Sequence, residues 1–149
     1  MGNSIIEKVW KTEEGFKAWI LNCRGSHYCG YVGVPKDHPL HGLDYNTNSP
    51  HIRDITGEEG LGQRSPLMLL CGAGKETSPA MAFDVHGGVT FAGTGYLDLE
   101  GDGLWYFGFD CAHYEDGSLS EWNGYEPKSI EFCVEQCESL AKQIVEKTL

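Results

Sequence analysis

At 149 residues, with 40% hydrophobic and 22% charged side chains, the chain can bury one core without disulfide or metal staples and reads as a single domain over 1–149. Its formal net charge of −11 repels a phosphate backbone at long range, which argues against general DNA or RNA binding. The acidic residues come in pairs such as Glu13–Glu14 rather than in the dense runs that a nucleic-acid mimic needs.

The first predicted element is a strand over 16–23, "FKAWILNC", rich in aromatic and branched residues. The turn "RGSH" and a returning strand over 28–34, "YCGYVGV", complete a β-hairpin. Pro35 then opens a long stretch over 35–66 with several glycines and little periodicity. Loops of this length inside a small domain are functional or disordered. The apolar run over 67–74, "LMLLCGAG", fits a strand or a buried helix equally. A second hairpin is expected from "MAFDVHGGVTFAG" and "GLWYFGFDCAH", joined through an acidic turn. Alternation places Phe83 and Val85 on one face of its first arm and Asp84 and His86 on the other. In the second arm it places Trp105, Phe107 and Phe109 on one face and Tyr106, Gly108 and Asp110 on the other. If the polar faces align, Asp84, His86, Tyr106 and Asp110 meet on one surface of the sheet.

The chain closes with an amphipathic helix. Ile130, Cys133, Val134, Cys137, Leu140, Ala141, Ile144 and Val145 recur at steps of three and four, and Gln136 falls on the polar side. Pro127 stands just before it, where a helix start tolerates proline. The expected fold is α+β: a mainly antiparallel β-sheet of hairpins with this C-terminal helix packed on one face. No run is long and apolar enough to span a membrane, and the N-terminus lacks the pattern of a secretory signal. A cytoplasmic setting with six reduced cysteines is the expectation. None of the six forms a CxxC pair, so a zinc ribbon is not supported.

Ionisable groups beside glycines mark the candidate site. His38 and His41 form "HPLH", a metal-compatible spacing that Pro39 keeps off a helix. Asp84, His86, Asp110 and His113 offer N/O donors for zinc, manganese or iron. Buried strand-end groups need hydrogen-bond partners whether or not they have a function, which is the structural alternative. Gly87 and Gly88 interrupt the strand after His86, and such a bulge can expose amides to a phosphate. Arg53 and Arg64 lie in the long loop, where they can offset the global charge. Tyr31, Tyr106 and Trp122 can offer a stacking face. Cys111 falls on the apolar face and is not read as a nucleophile. No nucleophile elbow or P-loop is present.

In order, "GYVGVPKDHPLHG", "DVHGGVTFAG", "LWYFGFDCAHYEDG" and "EFCVEQCESLAKQI" resemble a widespread family of small phage and prophage proteins, over nearly the whole chain. After His113 the chain reads "YEDG" where "AGD" is common in that family, so the carboxylate there is Glu115 or Asp116. The resemblance implies a phage protein in a host cytoplasm and fixes no activity. By analogy with phage antagonists of bacterial immunity, the leading expectation is a non-enzymatic sponge. It would sequester a nucleotide signal of cyclic-nucleotide or ADP-ribose type through His38, His41, Arg53, Arg64, Asp84, His86, Gly87, Gly88, Tyr106, Asp110 and His113. No cofactor is expected on this reading. The alternatives are a hydrolase acting on the same signal with zinc or manganese, and an inhibitor that binds a host enzyme. The partners expected are a small nucleotide and, for assembly, copies of the chain itself, with no nucleic-acid polymer and no membrane.

Overall fold

A computed structural model describes residues 4–52, 77–95, 101–112 and 116–148. Strands β1 (Ile5–Lys11), β2 (Lys17–Cys23), β3 (His27–Val34), β4 (Phe91–Thr94) and β5 (Trp105–Asp110) form one sheet in the order β1-β2-β3-β5-β4. Every neighbouring pair is antiparallel. A one-turn helix α1 (Pro79–Ala82) precedes β4, and helix α2 (Ile130–Lys147) ends the fold. The α+β class is the one expected from the pattern of hairpins and terminal helix. Among the described residues, no helix is long and apolar enough to cross a membrane.

The hairpin of β2 and β3 closes through Arg24 and Gly25, both at positive φ (54° and 77°). Asn22 Oδ1 holds the turn by accepting from the Gly25 amide at 2.8 Å. The edge strand β1 was not anticipated. Its charged residues interrupt the alternation, and its register slips between Ile6 and Lys8. Charges and a bulge of this kind keep an exposed sheet edge from pairing with other chains.

Two apolar layers flank the sheet. On one face Ala18, Ile20, Val32, Val34, Phe107 and Phe109 meet Cys133, Cys137, Leu140, Ala141 and Ile144 of α2. Ser129 caps that helix, its Oγ accepting from the Phe132 amide at 3.0 Å. Val145 is 51% exposed and does not belong to the buried stripe. Leu140 is fully buried, so Leu140→Ala is expected to cost about 2–5 kcal/mol. Val145→Ala should change little. Denaturant unfolding checks both, and a neutral Leu140→Ala would mean that α2 does not cover the sheet.

The opposite face differs from expectation. It is an aromatic layer, not a polar surface: Trp19, Leu21, Cys29, Tyr31 and Tyr106 are all buried there. Trp19 stacks on Tyr31 with ring centroids 4.2 Å apart, and Tyr31 meets Phe91 edge-on at 5.3 Å. Glycines make room for these rings. Gly108 lies in register with Tyr31, Gly33 with Tyr106 and, on the helix side, Gly30 with Phe109. A Cβ at any of the three would come within 2.6 Å of its partner's ring.

The second hairpin is shorter than expected. β4 begins only at Phe91, while 83–90 are neither strand nor helix. Phe83 and Val85 still face the core, as alternation requires. The expected strand or helix over 67–74 lies outside the described residues.

Candidate functional site

The segment before β4 is held by a helix rather than by a strand. Gln143 of α2 accepts from the Asp84 amide and donates to the Asp84 carbonyl, both at 2.7 Å. Gln136 accepts from the His86 amide at 2.8 Å. These two amides, seven residues apart on α2, dock alternate residues of the segment as a neighbouring strand would. Gly87 and Gly88 then turn the chain at φ 72° and 82°, and the Gly88 amide closes the turn on the Val85 carbonyl at 2.8 Å. Glycine takes such positive φ values at little cost.

This docking turns His86 toward α2. Its ring meets Phe132 edge-on at 5.2 Å. Its Nε2 lies 2.9 Å from both carboxylate oxygens of Asp116. The Asp116 side chain is 3% exposed, against 23% for His86. Lys128 Nζ stands 4.0 Å from Asp116 Oδ1 and 5.4 Å from the Phe132 ring centre. The loop from Asp116 to Lys128 is tied at its base. Asn123 Nδ2 donates to the Asp116 carbonyl at 3.1 Å, and the Gly117 amide donates to the Glu126 carbonyl at 3.2 Å. An ionised carboxylate only accepts, so Nε2 carries a proton and a neutral ring keeps its lone pair on Nδ1. A histidine and a lysine thus converge on one buried carboxylate in an otherwise acidic protein. Of the two carboxylates left open after His113, Asp116 is the partner; Glu115 lies outside the described residues.

Among the described residues, His86 and Asp110 do not share one face as the predicted pocket requires. His86 lies against the helix, whereas Asp110 is in register with Cys29 of the aromatic layer. Asp110 accepts from Thr90 Oγ1 and from the Ala112 amide, both at 3.1 Å, and so finishes its strand. Parity failed because the segment at Asp84–His86 pairs with glutamine side chains instead of continuing the ladder. Tyr106 points away from α2 as expected but is fully buried, so it offers no stacking surface; Tyr31 is likewise buried. The Tyr106 hydroxyl donates to Asp102 Oδ2 at 2.5 Å. Burial, then this hydrogen bond, pushes the Tyr106 phenol well above its usual range. Trp122 remains available, at 72% exposure on the loop between Asp116 and Lys128.

His38 and His41 each hold a backbone group. His38 Nδ1 accepts from the Leu40 amide at 3.1 Å, and His41 Nε2 donates to the Gly103 carbonyl at 3.1 Å. Arg53, Arg64 and His113 lie outside the described residues. Burial holds His38 below the ordinary histidine value, against an opposing pull from Asp37, and His41 lowers it further. The unfolded chain therefore binds more protons in the window beneath about 6.5. His38's contribution to stability is complete above that value and is lost as pH falls toward the lower folded value. His38→Asn keeps an acceptor for Leu40 and should flatten the fall in unfolding midpoint between about pH 7 and 5. An unchanged profile would remove His38 as its source.

A solvent-open groove of about 450 Å³ adjoins the His86 turn, lined by Met81, Phe83, Asp84, Val85, Gly88 and Lys147 among others. Lys147 Nζ donates to the Ala82 carbonyl at its wall at 2.5 Å. Among the described residues, Asp84, His86 and Asp110 do not gather as a metal-ligating group, while Cys23, His27 and Cys29 do. Comparison with protein-family models, with curated proteins and with solved structures finds no match to the chain.

Proposed function

We propose that the protein is a non-enzymatic binder of a small anionic ligand of nucleotide type, and that the His86–Asp116–Lys128 cluster is the centre of its site. The observation that carries this reading is the convergence of His86 and Lys128 on one buried carboxylate. When His86 takes a proton, it and Lys128 outweigh the single Asp116 carboxylate, and a phosphate group can meet that local positive charge despite the acidic surface. Trp122 on the adjoining loop supplies a stacking surface for a base, and the Gly87–Gly88 turn gives access for a ligand. The phage context implied by the four sequence motifs makes an immune signal of cyclic-nucleotide or ADP-ribose type the ligand class to try first.

Equilibrium titration with ADP-ribose and with cyclic dinucleotides tests the reading. His86→Ala and Lys128→Ala should each weaken binding by about 1–3 kcal/mol, roughly 5- to 150-fold, with the fold intact. Binding that is unaffected by both substitutions would place the site elsewhere.

A hydrolase remains the second reading because of one feature. A buried carboxylate 2.9 Å from Nε2 fixes the orientation of the imidazole, as the acidic partner of a general-base histidine does. The metal version of that reading is weaker, since Asp84 and Asp110 do not gather with His86.

A further inference from the structure

The turn end of the β2–β3 hairpin brings three soft donors together on the face away from α2. Cys23 is in register with His27, and Cys29 follows His27 by two residues, so all three side chains leave the same side of the sheet. Their ligating atoms lie within 4.8 Å of one another. The two sulfurs are 3.1 Å apart. Cys23 and His27 are half-buried and Cys29 is buried, so the group opens to solvent on one side.

Ser26 sets the histidine. Its hydroxyl has one proton, which it donates to the Cys23 carbonyl at 3.1 Å. The same oxygen lies 2.8 Å from His27 Nδ1. With its proton committed to a group that only accepts, Ser26 Oγ accepts from Nδ1–H. Nε2 then keeps its lone pair. A ring nitrogen pinned through Nδ1–H to an oxygen is the support that metal-binding histidines commonly have.

We propose that Cys23, His27 and Cys29 bind a thiophilic divalent cation of the zinc class, with solvent in the fourth position. Two thiolates and an imidazole match the donor preference of zinc. Tetrahedral bonds of about 2.3 Å to two sulfurs set them about 3.8 Å apart, so the pair opens slightly on loading. Binding breaks the two thiol S–H bonds, releases their protons to solvent and forms two metal–sulfur bonds and one metal–nitrogen bond. Asp110, in register with Cys29, adds a carboxylate that favours a cation. A disulfide would require closure by about 1 Å and an oxidant, and it would leave the orientation of His27 without a purpose.

Cobalt(II) titrated anaerobically into the reduced full-length protein tests the proposal. Stoichiometric thiolate-to-cobalt charge-transfer absorption should appear and be displaced by zinc. It should vanish in Cys23→Ser and persist in the Cys111→Ser/Cys133→Ser double variant, which removes a second cysteine pair whose sulfurs lie 3.6 Å apart. His27→Ala should weaken cobalt binding by at least about tenfold. Cys23 is only half-buried, so this variant keeps the test open if substitution of Cys29 prevents folding. No charge-transfer band, or a band that survives Cys23→Ser, would overturn the proposal.

Discussion

Gly108→Ala should be among the most damaging single methyl additions in the molecule. The new Cβ would stand 2.4 Å from Tyr31 Cδ1 and 3.0 Å from the Gly30 carbonyl oxygen. Neither can withdraw cheaply. Gly30 is backbone in the adjacent strand β3, and the Tyr31 ring is stacked on Trp19 and blocked edge-on by Phe91. Overpacking of this kind typically costs about 1–3 kcal/mol, and the double obstruction places Gly108→Ala at the upper end. Gly93→Ala is the control. It sits on the edge strand β4, and its Cβ would meet only Phe91 Cζ closely, at 3.1 Å. Urea unfolding of both variants decides the matter. Equal stabilities would mean that the aromatic layer is looser than the packing described.

Asp116→Ala should be the second large effect, and it acts at the candidate site. The carboxylate is almost wholly buried and meets His86 and Lys128, so its removal strands two donors. Breaking a fully buried pair costs about 3–5 kcal/mol, but His86 and Lys128 are 23% and 34% exposed and regain water in part. A loss of about 2 kcal/mol is expected after that discount. Asp116→Asn keeps an acceptor for His86 and should lose less. Histidine-ring NMR gives an independent readout: the Nε2–H of His86 should be slowed in exchange by Asp116 and become fast in Asp116→Ala. Rapid exchange in the unsubstituted protein would contradict the pairing.

Much of the fold was legible in the sequence because its signals are local. The aromatic and branched runs of β2, β3 and β5 follow from a sheet buried on both faces, and the three-and-four spacing of α2 from burial against one. The strand β1 was missed because an edge strand buries little and its charges hide the period. The glycines were the instructive case. Beside His86 they do open a turn. Within β3 and β5 they do something else: Gly30, Gly33 and Gly108 each accept an aromatic ring from the strand opposite. Only the register of the two strands reveals that pairing, and register is a long-range property.

The candidate site was legible in part. His86 was singled out, but its partner was taken from the strand that parity suggested. Gln136 and Gln143 decide the matter by holding Asp84 and His86 against α2. Their spacing of seven places them on one helical face, a signal open to reading, yet side-chain amides pairing with a distant backbone leave no mark on a hydrophobic pattern. The cluster of Cys23, His27 and Cys29 was hidden for a similar reason. Its spacing matches no common motif, and it exists because one hairpin register aligns the three side chains.

The central claim is that the protein holds its ligand without cleaving it. The most direct measurement is to saturate the protein with ADP-ribose or a cyclic dinucleotide, remove unbound ligand, denature the complex with heat and identify what is released. The account predicts that the intact nucleotide is recovered in stoichiometric amount, and that His86→Ala retains far less of it. Release of a cleaved product would establish the hydrolase instead, and failure to retain any nucleotide of either class would contradict the proposed ligand.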